Sequence, residues 1–255
     1  MNEVTFDFTG KNFVVVGASS GMGRQTALDL AAAGAHVLAV ARNEKKLAEV
    51  RENYPSLIET TQIDVTTASE DDWSKVFDSF VGRYGKINGE VYTAGTGTSS
   101  TLRFFDEIAA RNVMETGFWG ALKNLRIATK KKYAIKGSSY VLFSSVAAHT
   151  GERSLAVYAA TKAALKVAVW SLAHDLERDK HRINTISPGF VKTGMTLRAL
   201  EDEEGNSDML KRHFFGIGEP TDVTGMVLFL LSDRAHWITG EDFVVDGGYL
   251  RGAWR

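Results

Sequence analysis

Tyr158 and Lys162 stand four residues apart, and Ser145 lies 13 residues ahead of the tyrosine. On a helix, positions i and i+4 share a face, with roughly 5–6 Å between their Cβ atoms. An ammonium beside a phenol favours the phenolate, so a hydroxyl with an ordinary pKa of about 10 becomes a usable proton carrier nearer neutrality. A serine hydroxyl in the same site could donate to an oxygen on which negative charge develops. The three types together suit proton transfer to and from an alkoxide. Tyr-x-x-x-Lys alone is a common coincidence, so the elements that would position it must be legible as well.

Those elements alternate along the chain. Phe13–Val16 is a short apolar, β-branched run that reads as a buried strand and flows into Gly17-Ala18-Ser19-Ser20-Gly21-Met22-Gly23. A helix is expected over Arg24–Ala33, ended by Gly34. Further strands are expected at 36–40, 57–65, 90–93, 140–144, 183–186 and 243–245, with helices at 44–53, 70–84, 108–130 and 158–179. Strands alternating with helices at this pitch predict an α/β fold: one doubly wound domain over residues 1–255, with a parallel sheet of about seven strands covered on both faces.

A glycine-rich turn between the first strand and first helix is where open α/β sheets bind nucleotides. Gly17 permits the tight turn, Gly21 lets backbone approach a pyrophosphate, Gly23 lets helix pack on strand, and the first-turn N–H groups meet the negative charge. The plain alternative is a glycine-rich loop without a ligand. An acidic residue at the end of the second strand would bind the ribose hydroxyls of NAD. Here the strand ends Val40-Ala41-Arg42-Asn43, and a guanidinium there can fork onto a 2′-phosphate. This favours NADP(H), with NAD(H) the other option and an ordinary surface arginine the bland one. Ser20 could add a hydroxyl contact to that phosphate.

Bulk properties remove other classes. A net charge of −1 over 255 residues gives no field for nucleic acid or an anionic membrane. Lys130-Lys131-Lys132 reads as a solvated helix end. With no cysteine there are no disulfides, thiol nucleophiles or cysteine metal sites. His174 and His181 lack the spacing of a helical zinc pair, so no metal is expected. His149 reads as a loop histidine that could face a substrate pocket. Ser145 has no G-x-S-x-G elbow around it and is not a hydrolase nucleophile. The first ten residues lack an apolar signal core and no run reaches 18 apolar residues, so a cytoplasmic location is expected.

At this point the residues resemble the classical short-chain dehydrogenase/reductase family, from about Gly10 to Tyr249. Seven pieces fall in register: Gly17-x3-Gly21-x-Gly23, Asp64-Val65, Ala94-Gly95, Ser144-Ser145, Tyr158-x3-Lys162, Pro188-Gly189 with Thr193, and Thr239-Gly240 with Asp246-Gly247-Gly248. The resemblance implies a Rossmann-type domain that interconverts a ketone and a secondary alcohol. It implies Asp64 and Val65 at the adenine, Ala94 and Gly95 at the cofactor ribose, and Pro188, Gly189, Val191 and Thr193 at the nicotinamide carboxamide. Ser145 would polarise the carbonyl, Tyr158 would act as general acid and base, and Lys162 would lower the phenol pKa and hold the nicotinamide ribose. Ser19, Ser20 and Met22 complete the expected cofactor contacts.

Two positions depart from the family pattern. Thr93 replaces the Asn of N-A-G, and Gly117 falls where the family carries a catalytic Asn on the long helix. Glycine keeps the backbone carbonyl that would hold a relay water there. These losses motivate a second reading, a non-catalytic NADP(H)-binding sensor or scaffold. Retention of Ser145, Tyr158 and Lys162 favours the enzyme. A substrate lid is expected over about 194–218, mixing Met195, Leu197, Leu200, Met209, Phe214 and Phe215 with an acidic tip, and Val146, Leu155 and Phe190 are candidate pocket lining. Such a lid suits a partly apolar ketone or alcohol; the resemblance implies a 3-oxoacyl thioester as one option, with sterols, polyols and sugars as others. The resemblance also implies a homotetramer, or a homodimer, packed through the two long helices, with Val167-Ala168-Val169-Trp170 as a suitable strip.

Overall fold

The computed structural model describes residues 4–194, 196 and 211–252. Seven strands form one parallel sheet in the order β3-β2-β1-β4-β5-β6-β7. They are β1 (Asn12–Val16), β2 (His36–Ala41), β3 (Ile58–Gln62), β4 (Ile87–Tyr92), β5 (Ala134–Phe143), β6 (Arg182–Pro188) and β7 (Asp242–Val245). The helices are α1 (Gly21–Ala32), α2 (Glu44–Asn53), α3 (Glu70–Tyr84), α4 (Glu107–Met114), α5 (Gly120–Ala128), α6 (Ala156–Leu176) and α7 (Pro220–Leu231).

Every residue of β1 is buried, as a central strand covered on both faces requires. Its side chains alternate between two cores. Phe13 and Val15 join Ala39, Val141 and Ile186 beneath α1, α2 and α7. Val14 and Val16 join Leu38, Val40, Tyr92 and Leu142 beneath α3, α5 and α6. The strand order reverses between β1 and β4, so the loops after these strands diverge and leave a crevice at their C-terminal ends.

Several expected boundaries shift. The expected strand at 57–65 is shorter, because Asp64 turns the chain by accepting from the Thr66 N–H (2.9 Å) and hydroxyl (2.7 Å). The strand expected at 140–144 begins at Ala134, an extension with register irregularity against β4. Helix α7 was not anticipated, although Pro220 at its first turn and the reciprocal bonds of Glu219 and Asp222 are recognisable start signals. The long helix expected over 108–130 is one rod broken by a π-helical turn, Glu115–Trp119, between α4 and α5. Gly117 lies in that turn. Of the expected lid, residues 195 and 197–210 lie outside the described residues.

Candidate active site

The glycine turn is built by close approach. Gly17 (φ +91°) donates its N–H to the Val40 carbonyl at 2.8 Å, folding the loop over the end of β2. A Cβ on Gly17 would stand 2.5 Å from Thr93 Oγ1, and one on Gly23 would collide with the Gly17 carbonyl and the same hydroxyl. Thr93, in place of asparagine, donates to the Val16 carbonyl at 2.9 Å and so knots the end of β4 to the end of β1. A Cβ on Gly21 (φ +54°) would press on the Thr193 side chain at 3.0 Å. Helix α1 begins here without a side-chain cap from Ser20 and without an acid in its first turn. Its first N–H groups and dipole are therefore left to an anion.

These elements open onto one cavity of about 780 Å³. Of the sequence candidates, Gly17, Ser19, Ser20, Gly21, Met22, Gly23, Arg42, Val65, Ala94, Gly95, Tyr158, Lys162 and Thr193 line it. The walls also include Ser144, from the Ser144-Ser145 piece, and Glu44, Gln62, Thr116 and Phe143, which the sequence reading passed over. Glu44 was visible in principle as a carboxylate two residues beyond Arg42, at the start of α2. Asp64 stands just behind the rim, its Oδ2 3.8 Å from Arg42 Nη1. Its carboxyl is held below the usual range by the Thr66 hydroxyl first of all, with Arg42 a smaller influence.

The remaining candidates sit apart from the walls. Pro188 ends β6, and Gly189 N donates to the Val245 carbonyl at 3.0 Å, packed where a Cβ would lie 2.8 Å from Asp246 Cα. The Val191 side chain is buried in the core beneath α7 and borders a separate cavity of about 370 Å³, together with Phe190. Phe190 also packs against His213 and Tyr249. Val146 is buried and Leu155 precedes α6, and neither lines the larger cavity.

The chemistry-bearing pair comes from α6. Its sheet-facing stripe runs Val169, Leu165, Lys162 and Tyr158, spacings of four, three and four. The apolar end packs on the core, and the polar end overhangs the crevice. Lys162 Nζ donates to the Phe143 carbonyl at 2.6 Å and lies 5.8 Å from the centre of the Tyr158 ring, within cation–π range. Ser144 Oγ donates to the Lys162 carbonyl at 2.9 Å, locking α6 to the end of β5. Ser145 caps the short turn Val146–Ala148, accepting from Ala147 N at 3.2 Å, and its hydroxyl lies near enough to Tyr158 to act on the phenol pKa.

Burial dominates the electrostatics of the pair. It raises the Tyr158 pKa above its ordinary value, opposed by the Ser145 hydroxyl. Burial also pulls the Lys162 ammonium down to about 8. The ammonium points at a carbonyl and the ring face rather than at the hydroxyl, and burial biases both groups toward neutrality. Gly117 packs on the same helix: a Cβ there would lie 2.7 Å from Thr161 Cγ2.

The comparisons agree with this architecture. A family profile described as enoyl-(acyl carrier protein) reductase matches residues 17–250. An L-xylulose reductase of Caenorhabditis elegans is 33% identical, covering 96% of this chain and 97% of the relative. A 3-oxoacyl-[acyl-carrier-protein] reductase of Staphylococcus aureus is 30% identical, covering 93% and 97%. Among solved structures, a short-chain type dehydrogenase/reductase from Mycobacterium ulcerans superposes with a TM-score of 0.89 at 30% identity, covering 96% of this chain and 92% of that one. The chain belongs to the classical short-chain dehydrogenase/reductase family, oxidoreductases acting on CH–OH and C=O groups.

Proposed function

We propose that this protein interconverts a ketone and a secondary alcohol with NADP(H), using Ser145, Tyr158 and Lys162. One observation carries the reading: Tyr158 and Lys162 line the same cavity as the glycine turn and the uncapped start of α1. When bound, the nicotinamide supplies or accepts the hydride. In the reducing direction Ser145 donates a hydrogen bond to the carbonyl oxygen, and Tyr158 delivers the proton that the new alkoxide requires. Lys162 would hold the nicotinamide ribose. It also places a positive charge beside the phenol, offsetting part of the burial that keeps the phenol protonated. In oxidation the same phenol oxygen takes the proton back.

Arg42 supports NADP(H), since its guanidinium lines the cavity at the end of β2 with its side chain largely exposed. Glu44 on the same wall is the group that would favour the free ribose hydroxyls of NAD(H). An NADP-dependent (R)-specific alcohol dehydrogenase of Lentilactobacillus kefiri is 29% identical, covering 94% of this chain. A 3-oxoacyl thioester or a sugar ketone fits the names of the relatives. The raised phenol pKa and Gly117 favour the second reading, a cofactor-binding sensor without turnover.

Calorimetry with NADPH and NADH, followed by NADPH oxidation with L-xylulose, an acetoacetyl thioester and tropinone, separates the two. We expect tighter NADPH binding and turnover of at least one carbonyl. Tyr158→Phe is expected to lose at least ~10²-fold in kcat with cofactor affinity nearly unchanged. Tight NADPH binding with every carbonyl inert would establish the sensor.

A further inference from the structure

Outside the cavity, one polar cluster joins four elements and has no role in the chemistry above. His149 follows the turn Val146–Ala148, four residues past Ser145. Its Nε2 lies 2.8 Å from Asp242 Oδ2 on β7 and 3.2 Å from Ser187 Oγ on β6. Its Nδ1 lies 3.3 Å from Lys166 Nζ on α6, one turn beyond Lys162. These partners select the tautomer. An ammonium only donates, so Nδ1 accepts, and Nε2 carries the hydrogen that Asp242 accepts. Asp242 is itself held by Thr185 Oγ1 at 2.6 Å and Ser187 Oγ at 2.8 Å, two fully buried hydroxyls. A carboxylate with that many donors is a rigid anchor.

The anchor matters because of what the turn carries. Among the described residues, the side-chain hydrogen bonds tying 145–150 to other elements are those of His149. Thr150 bonds only back to the Val146 carbonyl. At its start the segment is fixed by Ser144 on Lys162. We propose that His149 is a positioning residue: held between Asp242 and Lys166, it fixes the turn that presents Ser145 to the reacting carbonyl. This rests on the ketone/alcohol reading above. A hydroxyl that must meet an oxygen at about 3 Å loses effect when its loop drifts by an ångström.

The test uses the full chain, saturating NADPH and the three carbonyls named above. His149→Ala is expected to lower kcat about tenfold or more, with the NADPH Kd within twofold and a cooperative thermal transition retained. In His149→Gln the side-chain amide can still donate to Asp242, and kcat is expected to recover to within about threefold of wild type. Lys166→Met, which cuts only the Nδ1 contact and leaves the core untouched, is expected to lower kcat about threefold and serves if His149→Ala does not fold. Wild-type kcat in His149→Ala or Lys166→Met overturns the proposal. So does an equal loss in the glutamine variant, or an NADPH Kd that weakens in step with kcat. A wild-type protein that binds NADPH and reduces none of the carbonyls overturns the catalytic reading, and this inference with it.

Discussion

Lys162 is 6% exposed and has one hydrogen-bond partner among the described residues, the Phe143 carbonyl. No carboxylate offsets its burial, which holds its pKa at about 8 against 10.5 for the free side chain. The unfolded chain therefore binds more protons between about pH 8 and 10.5, and stability rises with pH across that window. Below about pH 8 both states are protonated, and the charged folded form costs a constant amount, on the order of 3 kcal/mol. Lys162→Met keeps the apolar stem and removes the charge. The variant is expected to be more stable at pH 7 by about 1–3 kcal/mol and to lose the rise above pH 8. Urea midpoints measured from pH 6 to 10.5 would show both, while NADPH oxidation falls. A variant less stable than wild type at pH 7 would mean that the carbonyl bond outweighs the buried charge. Gly17 and Gly23 show the opposite economy, since side-chain absence is what lets backbone and Thr93 meet.

At the scale of elements, β4 carries a second buried ionisable group. Glu90 is 1% exposed, registered between Val14 of β1 and Tyr140 of β5, and faces Asn124 of α5, whose side-chain amide donates to its carboxyl group. Burial raises its pKa from 4.5 to about 8, with the Asn124 bond opposing. The other titratable groups it acts on are the Tyr92 and Tyr140 phenols, whose pKa values it helps to raise. Here the sign reverses. The folded state binds more protons between about pH 4.5 and 8, so stability is full below that window and falls as pH rises through it. Glu90→Gln stays neutral and keeps an acceptor. It is expected to match wild type near pH 4 and exceed it by up to about 5 kcal/mol above pH 8, a difference that denaturant titrations at the two pH values would read directly. Coincident curves would show Glu90 ionised in the folded state at neutrality. None of this was legible in the sequence, where Glu90 looked like one polar residue opening a strand. Its burial depends on Asn124, 34 positions away. The glycine turn and the Tyr158–Lys162 pair were legible because their geometry is local. His149–Asp242 spans 93 positions, and α7 was missed because its apolar faces resemble a buried run until Pro220 is taken as a start.

Across the whole molecule, the surface of the α4–α6 layer is out of keeping with a lone domain. Ile108 is 82% exposed and Trp170 54%, with Phe104, Trp119 and Val167 also outward on neighbouring elements. The strip expected at 167–170 is only partly available, because Val169 turns inward and is fully buried in the core. Aromatic side chains left in water on packed helices mark an association surface. At the far end of the sheet, β7 presents an unpaired edge and a part-exposed Val244. Two such surfaces on one chain can build a closed assembly with two kinds of two-fold contact. We therefore expect four 27.9 kDa chains in solution. Trp170→Lys, which places a charge in the middle of the helical surface, should reduce light-scattering mass to that of a dimer held through the β7 edge. Because α6 also carries Tyr158 and Lys162, loss of its covering should lower kcat several-fold while the glycine turn still binds NADPH. A wild-type monomer at micromolar concentration would leave these aromatics without a partner and sink the assembly. An unchanged mass in Trp170→Lys would move the contact away from α6 and toward the loop that carries Phe104.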